Sequence, residues 1–389
     1  MRSMRYEVKV PDAEGRAALE RILQLSYAMP TISWTTFFAR VGHENLRTLV
    51  SGDRVLGGLA MYRLGQFFGG KSVPLAGVAG VGIAPEARGR GLARDMLRQS
   101  LEQARAHAPL AGLYASTTTL YRACGFEQAG TAMWFSAPLA SFPRGDRSLA
   151  CEALPPKTHA PLHAAYEKRA RTWTGHLDRT PAIWERIVEP YDDPAYAYVV
   201  GNGTVDGYVA FQQKPGESIH FRVLVRDLVM NTRAAAERIL SLLFDLRSLA
   251  QEISWRGCAA DPLLSLLPEQ THTIKRHERW MLRILDVERA LALRGYPPVS
   301  TEVHLAVRDD LFPENAGPWV LRVTDGRAEV ARGGRGEVDL DVRALAAMYT
   351  GFATVHSMRA AGLLDDRGDQ AHLLELLFAG PEPWCCDHY

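Results

Sequence analysis

Along residues 12–28, "DAEGRAALERILQLSYA", apolar side chains return at helical spacing, which predicts an amphipathic helix. The aromatic-rich "PTISWTTFFARVG" reads as a connection, and "NLRTLVSGDRVLGGLAMYRLGQFFGG" reads as a strand hairpin broken by Gly-Asp and Gly-Gly turns. In "VPLAGVAGVGIAP" the apolar run is uninterrupted, as expected of a strand buried on both faces. From Leu92 onward, Ala93, Met96, Leu97, Leu101 and Ala104 fall on one helical face with charged residues between them. "LAGLYAS" then predicts a strand, "TTTLYRACG" a short helix closed by glycine, and "AGTAMWFSAPLASF" a final strand.

A similar order follows: helices in "APLHAAYEKRARTW" and "TPAIWERIVEPY", strands in "AYAYVVGNGTVDGYVAFQQ" and "SIHFRVLVRDLVM", a helix in "RAAAERILSLLFDLRSLA" and a strand in "QEISWRGCAA". This echo suggests a degenerate duplicate whose helix start, "NTRAAAE", has lost its glycines. A third unit begins near Met281 with helical "RILDVERALALRGYP". A strand meander through "STEVHLAVRDDLFPENAGPWVLRVTDGRAEVARGGRGEVDLDVR" and helices in "RALAAMYTGFAT" and "QAHLLELLFAG" complete it. The tail "PEPWCCDHY" is too apolar and aromatic for a disordered end and is expected to dock on the body of the protein. The domains expected are 1–150, 151–285 and 286–389, and the fold class is α+β.

Composition adds exclusions. The 389 residues are 47% apolar and 23% charged with a formal charge of +1, so no basic excess points to nucleic acid or a membrane surface. The first residues meet charge too early for a secretory signal, and the longest apolar run is glycine-broken and too short to span a bilayer, so a cytoplasmic protein is expected. Cys124, Cys151, Cys258, Cys385 and Cys386 are few and scattered, which argues against a disulfide framework or a zinc site, and no metal is expected.

The chemistry concentrates in "VGIAPEARGRGLARDML", residues 81–97. A helix start offers unpaired N–H groups and the positive end of a dipole. Gly89 and Gly91 clear the backbone, and Arg88 and Arg90 add charge, so a phosphate or pyrophosphate is the expected ligand. A Walker loop would need Gly-Lys-Ser or Gly-Lys-Thr, and a dinucleotide site would need a GxGxxG fingerprint in a βαβ unit; neither is present.

Arg-Gly-Arg-Gly-Leu-Ala instead resembles the turn with which GNAT acetyltransferases hold the pyrophosphate of acetyl-coenzyme A, with Arg88, Gly91 and Ala93 in the motif positions. Together with "LYASTTTLYRACGFEQAG", the stretch is similar to the Eis (enhanced intracellular survival) branch of that superfamily. The resemblance implies tandem GNAT-like mixed α/β domains, the first catalytic and the second degenerate, plus a C-terminal sterol-carrier-protein-like domain whose end inserts into the active site. It implies acetyl-CoA contacts at Val81, Gly82 and Ile83 along a strand edge, at Arg88, Gly89, Arg90, Gly91, Leu92, Ala93 and Arg94 around the turn, and at Ser116 and Thr117. Tyr121 matches the general acid, and the chain-terminal carboxylate of Tyr389 the general base.

Departures concern the acceptor. Cys124, Gly125, Phe126 and Glu127 stand where the family often has Phe-Gly-Tyr-Gly, and Asp387 and His388 precede the terminus. Tyr27, Met29, Trp34, Phe37 and Phe38 are candidates for the acceptor wall, with Asp387 and His388 beside them. The expected reaction is acetyl transfer to a primary amine, such as an aminoglycoside, a polyamine or a lysine-like group, by direct attack in a ternary complex. A longer acyl donor acting on a peptide Lys or Orn side chain is the alternative enzyme, and a non-catalytic lipid or effector binder the alternative class. The resemblance also implies a homo-oligomer, a trimer or hexamer.

Overall fold

The computed structural model describes residues 6–27, 34–190 and 195–389. The first third runs β1 (Glu7–Lys9), α1 (Ala13–Ser26), α2 (Trp34–Val41), β2 (Leu46–Ser51), β3 (Arg54–Phe68), β4 (Lys71–Ile83), α3 (Leu92–Arg105), β5 (Leu110–Tyr114), α4 (Thr118–Arg122) and β6 (Glu127–Pro138). The middle runs β7 (Cys151–Ala153), α5 (His163–Ala170), β8 (Leu177–Asp178), α6 (Pro181–Val188), β9 (Tyr196–Val200), β10 (Gly207–Pro215), β11 (Phe221–Met230), α7 (Arg233–Asp245), β12 (Ala250–Gly257) and β13 (Thr273–Ile284). The last third holds α8 (Val287–Leu293), β14 (Thr301–Arg308), β15 (Gly317–Thr324), β16 (Arg327–Arg332), β17 (Val338–Asp341), α9 (Val342–Tyr349), α10 (Val355–Ala360), β18 (Leu364–Asp366) and α11 (Ala371–Phe378).

Two compact units divide these elements. The first comprises Met1–Gly130, Arg279–Pro383 and His388–Tyr389; the second comprises Thr131–Glu278 and Trp384–Asp387. In the first, β1 to β5 lie side by side, with β3 against β4 antiparallel and β4 against β5 parallel. The end of β13, Trp280 to Ile284, pairs antiparallel with β5. Residues of α3, among them Met96, Leu97 and Leu101, are fully buried in one core cluster with Leu59, Met61, Ala76, Leu113, Tyr121 and Phe126. Burying each such aliphatic side chain contributes roughly 1.5–3 kcal/mol, so the sheet fixes α3 firmly. The same unit contains a separate five-stranded sheet in the order β16-β15-β14-β17-β18.

In the second unit, Met133 to Pro138 of β6 pair with β12, and the sheet continues through β11, β10, β9 and β7. Its core gathers Ile239, Leu240 and Leu243 of α7 with Val209, Phe211, Val223, Ile253 and Trp255.

Two local expectations fail. The aromatic connection contains a helix, α2, because Trp34, Phe37, Phe38 and Val41 follow i, i+3, i+4, i+7 spacing and all four are buried. The helix expected from Arg283 begins only at Val287, where Asp286 accepts a bond from the Arg289 N–H at 3.0 Å and caps it. Arg283 and Ile284 instead finish β13, a strand whose polar first half, Thr273 to Glu278, hides its period. All five cysteines are free, and no helix among the described residues is long and apolar enough to cross a membrane.

Candidate active site

In the first unit, β4 and β5 pair in register only from Leu75 with Leu110 to Gly77 with Gly112. Beyond that point β5 ends at Tyr114 while β4 runs on to Ile83, so the two strands part and leave one edge of β4 without a strand partner. The Ala84 N–H bonds the Leu56 carbonyl at 2.8 Å. Antiparallel alternation therefore turns Gly82 toward β3 and the polar groups of Ile83 toward the parted edge, while the register shift between Gly58 and Ala60 interrupts the alternation next to Val81. The Val81 and Ile83 carbonyls are already engaged: Tyr27 Oη donates to Val81 O at 3.1 Å, and Arg88 Nε to Ile83 O at 3.1 Å. That leaves the Ile83 N–H group as an edge donor.

A cavity of about 480 Å³ opens along this edge. Val81, Gly82, Ile83, Arg88, Gly89, Gly91, Leu92, Ala93, Arg94, Ser116 and Thr117 line it, together with Tyr121. Of the expected coenzyme contacts, Arg90 alone does not line it; it is exposed between two glycines. Ser26, Ala87 and Leu120 also line the cavity and were not among the expected coenzyme contacts; Ser26 Oγ accepts a bond from Arg88 Nη2 at 3.3 Å.

The helix start has the chemistry of an anion cradle. Gly91 is the residue before α3, its φ is 76°, and no side chain caps the first turn. The initial N–H groups of α3 thus face the cavity unclaimed by a cap, with the positive end of the helix dipole behind them. Gly89 also has a φ of 75°, so both glycines are required by the left-handed backbone and not only by clearance. A pyrophosphate carried by a nucleotide coenzyme fits this donor set, and an amide-bearing arm fits the N–H group at Ile83.

Tyr121 stands on α4, where its carbonyl accepts bonds from the Cys124 and Phe126 N–H groups at 2.9 and 3.1 Å. Its ring meets Phe126 edge-on at 5.9 Å, and no described residue hydrogen-bonds its hydroxyl. Burial pushes its pKa above the usual 10, with Tyr27 and Cys124 adding to the shift. Cys124 is fully buried, and burial raises its thiol to about 11, which makes it a poor nucleophile.

The last two residues meet this unit where the strands part. A Cβ on Gly77 would lie 2.8 Å from Tyr389 Cε2, and one on Gly112 would lie 2.7 Å from Tyr389 Oη. The Tyr389 ring sits 6.1 Å from both Tyr62 and Tyr114, and exposed His388 stacks on Tyr114 at 4.6 Å. Phe37 meets Tyr62 at 6.1 Å and Trp34 at 5.4 Å, and Trp34 meets Tyr27 at 5.7 Å. A run of rings therefore leads from α2 to the final residue. Trp34, Phe37 and Phe38 are packed within it, each no more than 7% exposed, and they do not line the cavity. Tyr62 and Tyr114 complete the run, and only strand alternation could have drawn attention to them. Met29 lies outside the described residues.

Asp387 belongs to the second unit, where Arg179 Nη2 approaches its carboxylate at 2.9 Å and Arg179 Nη1 bonds Asp227 at 2.5 Å. Tyr208 Oη donates to the same Asp227 oxygen at 2.5 Å. Burial opposes the charge on Asp227 most strongly, but Arg179, Arg169 and the Tyr208 hydrogen bond together outweigh it and hold the carboxyl below its usual range. Asp387 thus anchors the tail through Arg179.

The acetyltransferase (GNAT) domain family matches residues 16–129 and again 175–284, and the sterol carrier protein domain family matches residues 287–386. The crystal structure of a GCN5-related N-acetyltransferase from Anabaena variabilis is 35% identical and superposes with a TM-score of 0.95, covering 99% of this chain and 100% of that one. The chain belongs to the GCN5-related N-acetyltransferase (GNAT) family. N-acetyltransferase Eis of Mycobacterium tuberculosis is 26% identical over 330 residues, spanning 80% of this chain and 79% of its own. An uncharacterized N-acetyltransferase of Streptomyces coelicolor is 29% identical over 314 residues, 76% of this chain and 75% of its own. The protein is a GNAT acetyltransferase of the Eis type, with two GNAT domains followed by a sterol carrier domain, and members of this family take acetyl-CoA as co-substrate.

Proposed function

We propose that this GNAT enzyme acetylates a primary amine, of the aminoglycoside, polyamine or lysine-like class, by direct attack in a ternary complex at the parting of β4 and β5. The observation that carries the reading is the Tyr121 hydroxyl, without a hydrogen-bond partner among the described residues, on the wall of the same cavity into which the uncapped start of α3 opens. Bound there, acetyl-CoA supplies an acyl thioester whose carbonyl carbon is open to an amine. The N–H groups at Leu92 and Ala93, with Arg88 and Arg94, hold pyrophosphate charge, and the Ile83 N–H group orients the coenzyme's amide arm. Val81, Gly82, Gly89, Ser116 and Thr117 complete the cradle.

Tyr121 keeps its proton throughout the neutral range because its pKa stands above 10, and offers it from Oη to the sulfur as negative charge develops there. Tyr389 is assigned the base. A terminal carboxylate with a reference pKa of ~3.5 is a feeble acceptor, so it acts by drawing in and orienting the ammonium or through a water. Support comes from the Tyr389 ring, only 7% exposed and set against Gly77 and Gly112. The role requires Tyr389 to be the last residue, and appending two residues should abolish turnover if it holds. Cys124 is assigned no covalent step.

The same proposal divides the chain into a catalytic domain over 1–150, a degenerate one over 151–285 and a sterol-carrier-like one over 286–389, acting in the cytoplasm as a homo-oligomer whose size sedimentation would give. Thiol release across aminoglycosides, polyamines, lysine derivatives and basic peptides tests the function. Turnover with one amine class that vanishes in Tyr121→Phe supports it; no turnover with any amine would overturn it.

A further inference from the structure

The second unit has a fork of its own. Parallel pairing of β11 with β12 runs from Phe221 with Ala250 to Leu224 with Ser254, and the strands then run on to Met230 and Gly257 without each other, with Asp261 just beyond. There the Thr232 hydroxyl accepts a bond from the Ala235 N–H at 3.1 Å and closes the start of α7. At the first fork the helix start is open, and the turn behind Tyr121 is held by residues far along the chain.

That turn is short and would be weak alone. The helix carrying Tyr121, α4, has only five residues, and the chain reverses at once through Gly125, whose φ is 80°. Because the Cys124 and Phe126 N–H groups both return to the Tyr121 carbonyl, whatever holds the turn also holds the tyrosine. Arg283, fully buried on the part of β13 that pairs with β5, supports its middle. A Cβ on Gly125 would lie 2.7 Å from Arg283 Cζ and Nε and 3.1 Å from Nη1, so the guanidinium presents its flat face to the glycine. Its Nη2 donates to Asp309 Oδ1 and Oδ2 at 2.6 and 2.7 Å, and Asp309 is fixed in turn by the Phe312 N–H at 3.1 Å and Asn315 Nδ2 at 2.9 Å.

Arg343, at the start of α9, holds the far end. Its Nε and Nη2 donate to Glu127 Oε2 at 3.1 and 2.5 Å, while Arg122 Nη2 donates to Oε1 at 2.7 Å. Burial opposes the charge on Glu127 most strongly, but the bonds from Arg122, Arg343 and the Gln128 N–H together outweigh it and hold the carboxyl below its usual range. Glu127 stands where the family often has glycine, so the departure supplies an anchor that glycine could not. Asp309, Phe312, Asn315 and Arg343 all lie within the residues matched by the sterol carrier family, and Phe312 shares a core cluster with Tyr121, Cys124 and Phe126.

We propose that Arg283 and Arg343 are positioning residues for acetyl transfer: they tie the turn from Tyr121 to Glu127 to the sterol carrier domain and fix Tyr121 Oη where it meets the coenzyme's sulfur. The inference rests on the reading of Tyr121 as the acid. A displacement of about 1 Å in such a group can cost about 10²-fold in rate, so the sterol carrier domain takes part in the transfer without touching either substrate.

Thiol release from acetyl-CoA with the amine of highest turnover in the panel, beside acetyl-CoA titration and thermal melts of the full-length protein, tests this. Arg343→Met should lower kcat about tenfold well below its melting temperature, with KM for the amine and acetyl-CoA affinity kept within about twofold. Arg343→Lys should return kcat to within about threefold of wild type, and Arg283→Lys, which keeps a charge for Asp309 but loses the planar face, should lower it about threefold to tenfold. Tyr121→Phe combined with Arg343→Met should be no slower than Tyr121→Phe alone, a non-additivity that general loosening of the fold would not produce. Arg322→Met, which breaks a pair with Glu302 at 2.5 Å in the sterol carrier sheet, should leave kcat unchanged. Unchanged kcat in Arg343→Met and Arg283→Lys, a further fall in the double variant, or an equal loss in Arg322→Met would overturn the proposal and leave the role of Tyr121 standing. Unchanged kcat in Tyr121→Phe, or no turnover with any amine, would overturn that role and this inference with it.

Discussion

The fork between β4 and β5 and the fork between β11 and β12 are the same backbone device put to different ends. In the first, Gly91 leaves the start of α3 uncapped, and Tyr121 presents a hydroxyl that no described residue hydrogen-bonds. At the second, Thr232 caps α7, and a buried tyrosine hydroxyl of the neighbouring β10, Tyr208 Oη, is bound to Asp227. In the proposed mechanism, catalysis draws on what is left unsatisfied: an open helix end and a proton donor. Where such groups are consumed by internal bonds, they add to stability instead.

Tyrosine replacement should separate the two forks most widely. Tyr121→Phe is expected to lower kcat by about 10²–10⁴-fold with little change in melting temperature, whereas Tyr208→Phe should destabilise by about 1–3 kcal/mol and leave kcat near normal. The raised pKa of Tyr121 adds a pH signature: its acid form is lost only above pH 10, so kcat should show no tyrosine-dependent fall on the alkaline side below that value. A smaller effect belongs to the second fork alone. Burial raises the Asp261 carboxyl to about 6 from 3.8, so the folded protein binds this proton more tightly than the unfolded chain. Stability from that group is full below pH 3.8 and lost as pH rises through about 6. Asp261→Asn should therefore gain stability relative to wild type between pH 5 and 7.5, by no more than about 3 kcal/mol, in pH-resolved thermal melts.

Gly112→Ala probes the place of Tyr389, because its Cβ would lie 2.7 Å from the tyrosine hydroxyl. About a tenfold loss of kcat is expected, with acetyl-CoA affinity retained. Thr232→Ala should be the mildest change, costing about 1 kcal/mol in denaturant unfolding and nothing in turnover.

Much of the lining of the cavity beside β4 was legible in the sequence because its signals are local. The turn at Arg88 to Ala93 and the short helix carrying Tyr121 each lie within a few residues, and helical or strand period marks the elements around them. What escaped depends on long-range pairing. Tyr62 and Tyr114 gain their place only when strands bring them to Tyr389, and Asp387 is committed to Arg179 across 208 positions of chain. The aromatic residues of α2 looked like a pocket wall in the linear sequence, yet the fold packs them against one another. Capping at Asp286 likewise moved a helix start that apolar spacing alone had placed too early.

Acetyl-CoA titrated into wild type, Gly91→Val and Thr232→Ala would test the contrast between the two forks most directly. One equivalent per chain is predicted for wild type, with affinity at least about tenfold weaker in Gly91→Val, where a β-branched residue cannot hold a φ of 76°, and unchanged in Thr232→Ala. Two equivalents in wild type, or affinity that survives in Gly91→Val and falls in Thr232→Ala, would contradict it.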